Sequence, residues 1–409
     1  QIGTEAIVST DGFAALFAQR TGKTWVTGAV LCAEEGKSLD VLLVGPLTNL
    51  KSTWEKFLKE KLPWYSVHRD LDSYIKHQKA FEKTWGHRDH CILLLNPEQL
   101  TPLVKRLRRI KWDRFIWDEV QRLKNRTSRS SRDAALLAGS AQRRLALTGT
   151  PIDRNSRDMW AIMRFVEVGV FGDSWKDFED HFLEQPKIDL KKKMGMVQRQ
   201  RMMLAYQIAK RKAPLREDRL DEYAQRMSRH VMRISKEDAG IKEAKIKVIS
   251  FPLDPDEEKR YRKLEKNMVV KAGGVKIKTP LKITQIGKLQ QLTGGHIKDE
   301  DGEVHRTGTT KRRQLRKAIL KHAVPGEPFV VFCKFVWEVH MIERMLLRMG
   351  YPRVAKLWGK VKDKKKDPAR TDMLLNFQRG KYDAMVCQQR TGGVGVDLYL
   401  AGRLFVYSM

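Results

Sequence analysis

The sequence predicts an α/β protein: two parallel-sheet halves around a basic, helical middle. Three observations predict it. Short, fully apolar runs of strand length recur in the first and last parts of the chain, with helix-patterned stretches between them, the texture of strands buried on both faces. Between about residues 170 and 245 such runs vanish and Lys, Arg, Met and Gln dominate, as in Gln198-Arg199-Gln200-Arg201-Met202-Met203. The polar motifs follow the ends of the apolar runs, and parallel sheets bind ligands at the carboxyl ends of their strands. The expected division is 1–168, 169–308 and 309–409.

In chain order, residues 13–17 form the first strand and a helix runs from Lys23 to about residue 35. Residues 41–44 are a second strand closed by Gly45-Pro46, and 91–95, 115–117 and 145–147 complete the first sheet. After the basic segment, 248–253 reads as a strand-like connector. Residues 255–294 read as helical apart from a break at Gly273-Gly274, and 297–306 as a hairpin turning at Asp301-Gly302. Residues 329–332, 354–357, 384–387 and 404–407 are the strands of the second sheet.

The 409 residues suffice for two or three domains, and 41% of them are hydrophobic, enough for each to bury a core. Lys and Arg exceed Asp and Glu by 31, far beyond what solubility needs, and nucleic acid is the matching polyanion. Cys32, Cys91, Cys333 and Cys387 form no CxxC pair, so spacing suggests neither a zinc nor a redox motif; Cys91 and Cys387 sit in apolar runs as buried thiols. No apolar run reaches the ~18 residues that span a bilayer and no leader pattern opens the chain, so no membrane role is expected. The chain opens at Gln1 and stops inside an apolar stretch, and trimmed ends are expected.

The chemistry lies in three motifs. Thr21-Gly22-Lys23-Thr24 follows a strand and opens a helix, where backbone N–H groups and the helix dipole face a phosphate. Lys23 would reach the β- and γ-phosphates and the Thr24 hydroxyl would ligate Mg²⁺. Phe17 stands where the full pattern has its first glycine, and Arg20 where a second is common, so the loop must be built differently or bind ATP less well. Asp118-Glu119 ends an apolar strand; Asp118 would hold Mg²⁺ through water and Glu119 would act as base toward the attacking water. Thr148 and Thr150 flank Gly149 at another strand end, placed to sense the γ-phosphate and relay to nucleic acid. A lone lysine loop, acidic turn or Thr-Gly-Thr turn is common, but in this order they indicate a nucleoside triphosphate with Mg²⁺.

This set resembles the Swi/Snf-type DNA translocases of helicase superfamily two, in a compact form similar to phage and bacterial members. The resemblance covers nearly the whole chain. It includes Val44-Gly45-Pro46-Leu47 with Trp54-Glu55, Leu95-Asn96-Pro97-Glu98, Asp118-Glu119-Val120-Gln121 and Leu147-Thr148-Gly149-Thr150-Pro151-Ile152. In the second half it includes Val330-Val331-Phe332-Cys333-Lys334-Phe335 and the run from Gln388-Gln389 through Gly393-Val394-Gly395-Val396-Asp397. The resemblance implies two RecA-like domains with a helical insertion, ATP and Mg²⁺ as cofactors, double-stranded DNA as partner and no other small-molecule substrate. It implies a cytoplasmic setting in a bacterial or phage-infected cell.

The resemblance also implies roles by position. Gln1 falls where the adenine is read; Lys23, Asp118, Glu119 and Gln121 are catalytic; Thr21, Gly22, Thr24, Gly393, Gly395 and Asp397 complete the nucleotide site. Pro46, Asn96, Thr148, Thr150, Lys334 and Gln389 hold the nucleic-acid backbone without reading bases. The family's arginine motif would lie past Met409, so weak hydrolysis by the 409-residue chain is expected. A strand-separating DNA or RNA helicase and a non-catalytic nucleotide-binding clamp are the rival expectations.

Overall fold

The computed structural model of the chain describes residues 2–33, 39–149, 156–172, 174–185, 203, 206, 213–241, 245–267, 269–272, 274–278, 282–359, 369–389 and 398–409. The chain divides into two compact units, residues 1–245 and 246–409.

The first unit is built on a seven-stranded sheet. Its strands are β1 (Gly12–Phe17), β2 (Asp40–Val44), β3 (Ser66–His68), β4 (Cys91–Leu95), β5 (Trp112–Asp118), β6 (Ala141–Thr148) and β7 (Val231–Ile234). The order is β3-β4-β2-β5-β6-β1-β7, and every pairing is parallel. β1, β2 and β4 are buried along their whole length, because helices cover both faces and no side chain meets water. Side chains of a strand alternate between faces. Ala14 and Leu16 join one core with Leu42 and Val44, while Phe13, Ala15 and Phe17 join the other with Val41 and Leu43.

β7 comes from the segment that the sequence reads as helical and strand-free. It pairs with β1 from Ala14↔Val231 to Phe17↔Ile234 at the sheet edge, where three of its four side chains are half-buried and one exposed. An edge strand needs no continuous apolar run, and Val-Met-Arg-Ile has none. This pairing carries the first unit to residue 245, a different partition from a boundary at 168.

A buried carboxylate fastens the helix Leu71–Trp85 to this sheet. Asp40, at the start of β2, accepts hydrogen bonds from Tyr74 Oη (2.5 Å) and Gln78 Nε2 (2.7 Å) and pairs with Arg88 (2.6 Å). Burial raises its pKa above the ordinary carboxylate value, against the pull of these donors. Asp40→Ala would strand two buried donors and a partly buried guanidinium, so we expect a loss of about 3 kcal/mol in denaturant unfolding with nucleotide affinity unchanged.

The second unit has a four-stranded parallel sheet of β12 (Phe329–Cys333), β13 (Val354–Leu357), β14 (Ala384–Gln388) and β15 (Arg403–Val406), in the order β13-β14-β12-β15. All four match the apolar runs of the sequence. Val331 and Cys333 pack on one face and Val330 on the other, each over its own cluster. Ahead of the sheet come two hairpins, β8 (Val269–Ala272) with β9 (Val275–Lys278) and β10 (His296–Lys298) with β11 (Val304–Arg306). The second turns as expected, with Gly302 at φ +92°. The first occupies the expected helix break. Residues 248–253 form no strand; Ile246 and Val248 stay 90% and 82% exposed, since an apolar run becomes a strand only where a sheet edge takes it.

Both sheets are parallel and apolar on two faces, the α/β architecture with two parallel-sheet halves that the sequence predicts. Among the described residues no helix is long and apolar enough to cross a membrane.

Candidate active site

In the first sheet β6 lies between β5 and β1. The carboxyl ends of these three neighbours therefore set the lysine loop, the acidic pair and Thr148-Gly149 side by side, with Leu16↔Thr148 and Asp118↔Leu147 in register.

The loop does depart from the glycine-rich form. Phe17 is fully buried in the core as the last residue of β1, so the turn is made by residues 18–22 alone. The Thr21 hydroxyl donates to the Ala18 carbonyl (2.8 Å) and ties the turn together. Gly22 has φ +89° and opens the helix Lys23–Ala33. Arg20 has φ +68°, the left-handed geometry that glycine adopts freely and that costs other residues about 1–2 kcal/mol. The loop keeps a glycine's backbone at Arg20 without the glycine. Arg20→Gly should exceed Arg20→Ala in stability by about 1 kcal/mol, since both lose the side chain and only alanine keeps the strain. Paired thermal melts check this.

Lys23 Nζ donates to the carbonyls of Phe17 (3.0 Å) and Ala18 (3.3 Å) beneath the turn. A Cβ on Gly149 would come within 2.8 Å of that Nζ, so the glycine that follows β6 leaves room for the lysine to lie there. Burial lowers the pKa of Lys23, while the charges of Glu119 and Asp118 oppose the shift.

Asp118, 5% exposed, is held through one oxygen: Oδ2 accepts from Trp54 Nε1 (3.0 Å) and Asn49 Nδ2 (3.2 Å). These donors are five residues apart, a spacing that an α-helix sends to different faces. Here the helix that follows Gly45-Pro46 contains a π-helical turn, Leu50–Trp54, closed by an i→i+5 bond from the Glu55 N–H to the Leu50 carbonyl. The wider turn brings both donors onto Asp118. Sequence reading singled out neither as a partner of the carboxylate.

Glu119 sits at φ +58°, ψ +52°. Among the described residues Arg20 and Glu119 are the two non-glycines at positive φ, and both belong to this site, where strain is commonly retained for function. Burial raises the pKa of Glu119 and the adjacent Asp118 charge adds to it; Gln121, Lys23 and Arg122 oppose. Gln121 Nε2 donates to Glu119 Oε2 (2.5 Å), and Gln121 Oε1 accepts from the Thr148 hydroxyl (2.7 Å). Thr148, Gln121 and Glu119 thus form a chain from β6 to the acidic pair.

The expected nucleic-acid contacts fare differently. Thr148 is fully buried in this chain and presents no surface to a polymer. Pro46 is buried as well. Asn96 caps the helix Pro97–Leu107 through a reciprocal pair with Gln99, its Oδ1 accepting from the Gln99 N–H (2.8 Å). Lys334, past the end of β12, is exposed and donates to Gln290 Oε1 (2.6 Å), and Gln389 is exposed past the end of β14. Thr24 is half-buried in the first turn of its helix. Gln1, Thr150, Gly393, Gly395 and Asp397 lie outside the described residues.

The donor set of the first unit is an ammonium, a hydroxyl at a helix start, two adjacent carboxylates and a turn whose Gly22 faces open space, with nothing within 4 Å of a Cβ built there. It fits a triphosphate with its Mg²⁺.

The SNF2-related domain family matches residues 18–298. Among curated proteins the chain is similar to the putative ATP-dependent helicase/translocase YwqA of Bacillus subtilis, 21% identical over 374 residues, which span 90% of this chain and 37% of that protein. It is similar to the SWI/SNF chromatin-remodeling complex subunit snf22 of Schizosaccharomyces pombe, 27% identical over 315 residues, 74% of this chain and 18% of that protein. Among solved structures, the Sulfolobus solfataricus SWI2/SNF2 ATPase core in complex with dsDNA aligns over 99% of this chain and 80% of that one, at 22% identity and a TM-score of 0.45.

Proposed function

The chain belongs to the SNF2-related domain family, and on that premise we propose that it is a DNA-dependent ATPase that uses ATP hydrolysis to move along double-stranded DNA. The observation that carries the reading is the hydrogen-bonded chain from Thr148 through Gln121 to Glu119, set beside Lys23 and an Asp118 held through Oδ2 by two donors. Such an arrangement supports a base held for one proton transfer over a solvated acidic turn.

ATP with Mg²⁺ supplies a γ-phosphate open to in-line attack by water. Lys23 and the N–H groups of the turn bind the phosphates. Thr24 and Asp118 would hold the metal, and Trp54 and Asn49 fix the Asp118 oxygen that they share. Gln121 occupies Oε2 of Glu119, which leaves Oε1 to take the water's proton. A carboxylate whose pKa burial has raised is the stronger base for it. Because Thr148 reaches the base through Gln121, movement of β6 or the turn after it alters the base's hold on water, a route from polymer contact to turnover.

The partner reading rests on the excess of 31 positive charges and on relatives named as a translocase and as a chromatin-remodeling subunit. Exposed Lys334 and Gln389 would hold phosphate in the second unit, with affinity that falls steeply as salt rises. Displacement of a third strand from a DNA triplex tests the reading. We expect ATP-dependent displacement that Glu119→Gln abolishes; separation of a forked duplex with no triplex displacement would make the protein a helicase instead.

A further inference from the structure

Away from the strand-end motifs, the first unit gathers a second set of ligand-type side chains. His68 ends β3, Cys91 begins β4, and His77 comes from the helix Leu71–Trp85. One ligand atom from each lies within 4.8 Å of the other two. His68 Nε2 is 3.9 Å from Cys91 Sγ, and the two imidazole rings are 4.9 Å apart between centroids. Cys91 is fully buried and both histidines are half-buried.

The surroundings point the same way. Asp89 Oδ2 lies 2.7 Å from His77 Nε2 and accepts from the Ser66 hydroxyl (2.6 Å), while Asp89 Oδ1 accepts from the His90 N–H (2.8 Å). His68 Nδ1 lies 3.1 Å from the Ser73 hydroxyl. Asp89 engages Nε2 of His77 and Ser73 engages Nδ1 of His68, which leaves Nδ1 of His77 and Nε2 of His68 as the ligand atoms, the latter already beside Cys91 Sγ. A carboxylate behind a histidine, itself fixed by further hydrogen bonds, is the usual support of a metal-bound imidazole.

We propose that His68, His77 and Cys91 form a site for a divalent transition metal of the zinc type, with Asp89 orienting His77. Two imidazoles and one thiolate are a borderline-soft set that favours zinc over Mg²⁺ or Ca²⁺. Tetrahedral zinc at ordinary bond lengths sets its N and S ligands about 3.3–3.6 Å apart, so side-chain movements of about 1 Å close the site. The ion joins a three-residue edge strand and a helix to β4, the second strand of the sheet. No CxxC pair marks the site in the sequence, because its ligands come from three separate elements.

Cobalt(II) added to the chelator-treated full chain tests it, because cobalt bound to a thiolate gives a near-ultraviolet charge-transfer band. We expect this band with one equivalent of cobalt and a higher melting temperature. The band is lost in Cys91→Ser and His77→Gln and kept in Cys32→Ser. Cobalt bound at Thr24 and Asp118 gives no such band, so the nucleotide site cannot mimic the result. No band in the wild-type chain overturns the proposal, as does a band that survives Cys91→Ser. His68→Gln guards against misfolding: a variant that melts cooperatively yet keeps the full band also overturns it.

Discussion

Glu119→Gln will bind ATP about as tightly as the wild-type chain and hydrolyse it about 10²–10⁴-fold more slowly, the range of a lost general base. The amide keeps an oxygen to accept from Gln121 Nε2, so the link from Thr148 survives and the loss falls on proton transfer. The same variant will be more stable at neutral pH. Burial raises the pKa of Glu119 in the fold, so the unfolded chain releases that proton more readily. The stability tied to the neutral form is complete below the unfolded carboxylate's pKa and is lost as pH rises through the folded value. Above that value an ionised Glu119 costs the fold something that glutamine does not. The gain in melting temperature will therefore appear above the folded value and fade as pH falls through it toward the unfolded carboxylate's pKa. Melts across pH beside single-turnover hydrolysis check both halves; a variant that hydrolyses at the wild-type rate removes Glu119 from the mechanism.

Lys23→Ala will weaken ATP binding about 10²-fold, the worth of charge-assisted hydrogen bonds in a partly desolvated site. Two effects add. The phosphates lose a cation, and the Asp118 and Glu119 charges that act on Lys23 then face the incoming anion uncompensated. Burial depresses the pKa of Lys23, so the wild-type chain will lose affinity at alkaline pH before an ordinary lysine would titrate. In Lys23→Ala that part of the pH dependence will be gone. Titration with a fluorescent ATP analogue reads both; equal affinities in the two proteins would mean that the loop holds no phosphate.

Local chemistry was legible in the sequence and long-range chemistry was not. Fully buried runs such as 41–44, 91–95 and 384–387 announced both sheets, because a strand covered on two faces must be apolar throughout. Three-residue β3 and edge strand β7 are only partly buried, and neither stood out. Lys23 and the acidic pair stood out in the sequence because each follows the end of its own apolar strand. The orientation of Asp118 was not, because Trp54 and Asn49 reach it from 64 and 69 residues away through a π-turn that no α-helical periodicity suggests. Thr148 was expected to hold nucleic acid, yet its buried hydroxyl donates to Gln121. The cluster of His68, His77 and Cys91 had no sequence signal at all, since the fold alone assembles it.

The most direct measurement is the stimulation of ATP turnover by duplex DNA, compared with single-stranded DNA and RNA, in the wild-type chain and in Glu119→Gln. The ratio with and without polymer carries the result, whatever the basal rate. A translocase on double-stranded DNA predicts that duplex stimulates most and that Glu119→Gln abolishes the stimulated rate. Stimulation by single strands or RNA alone, or ATP and duplex bound with no turnover at all, would contradict it.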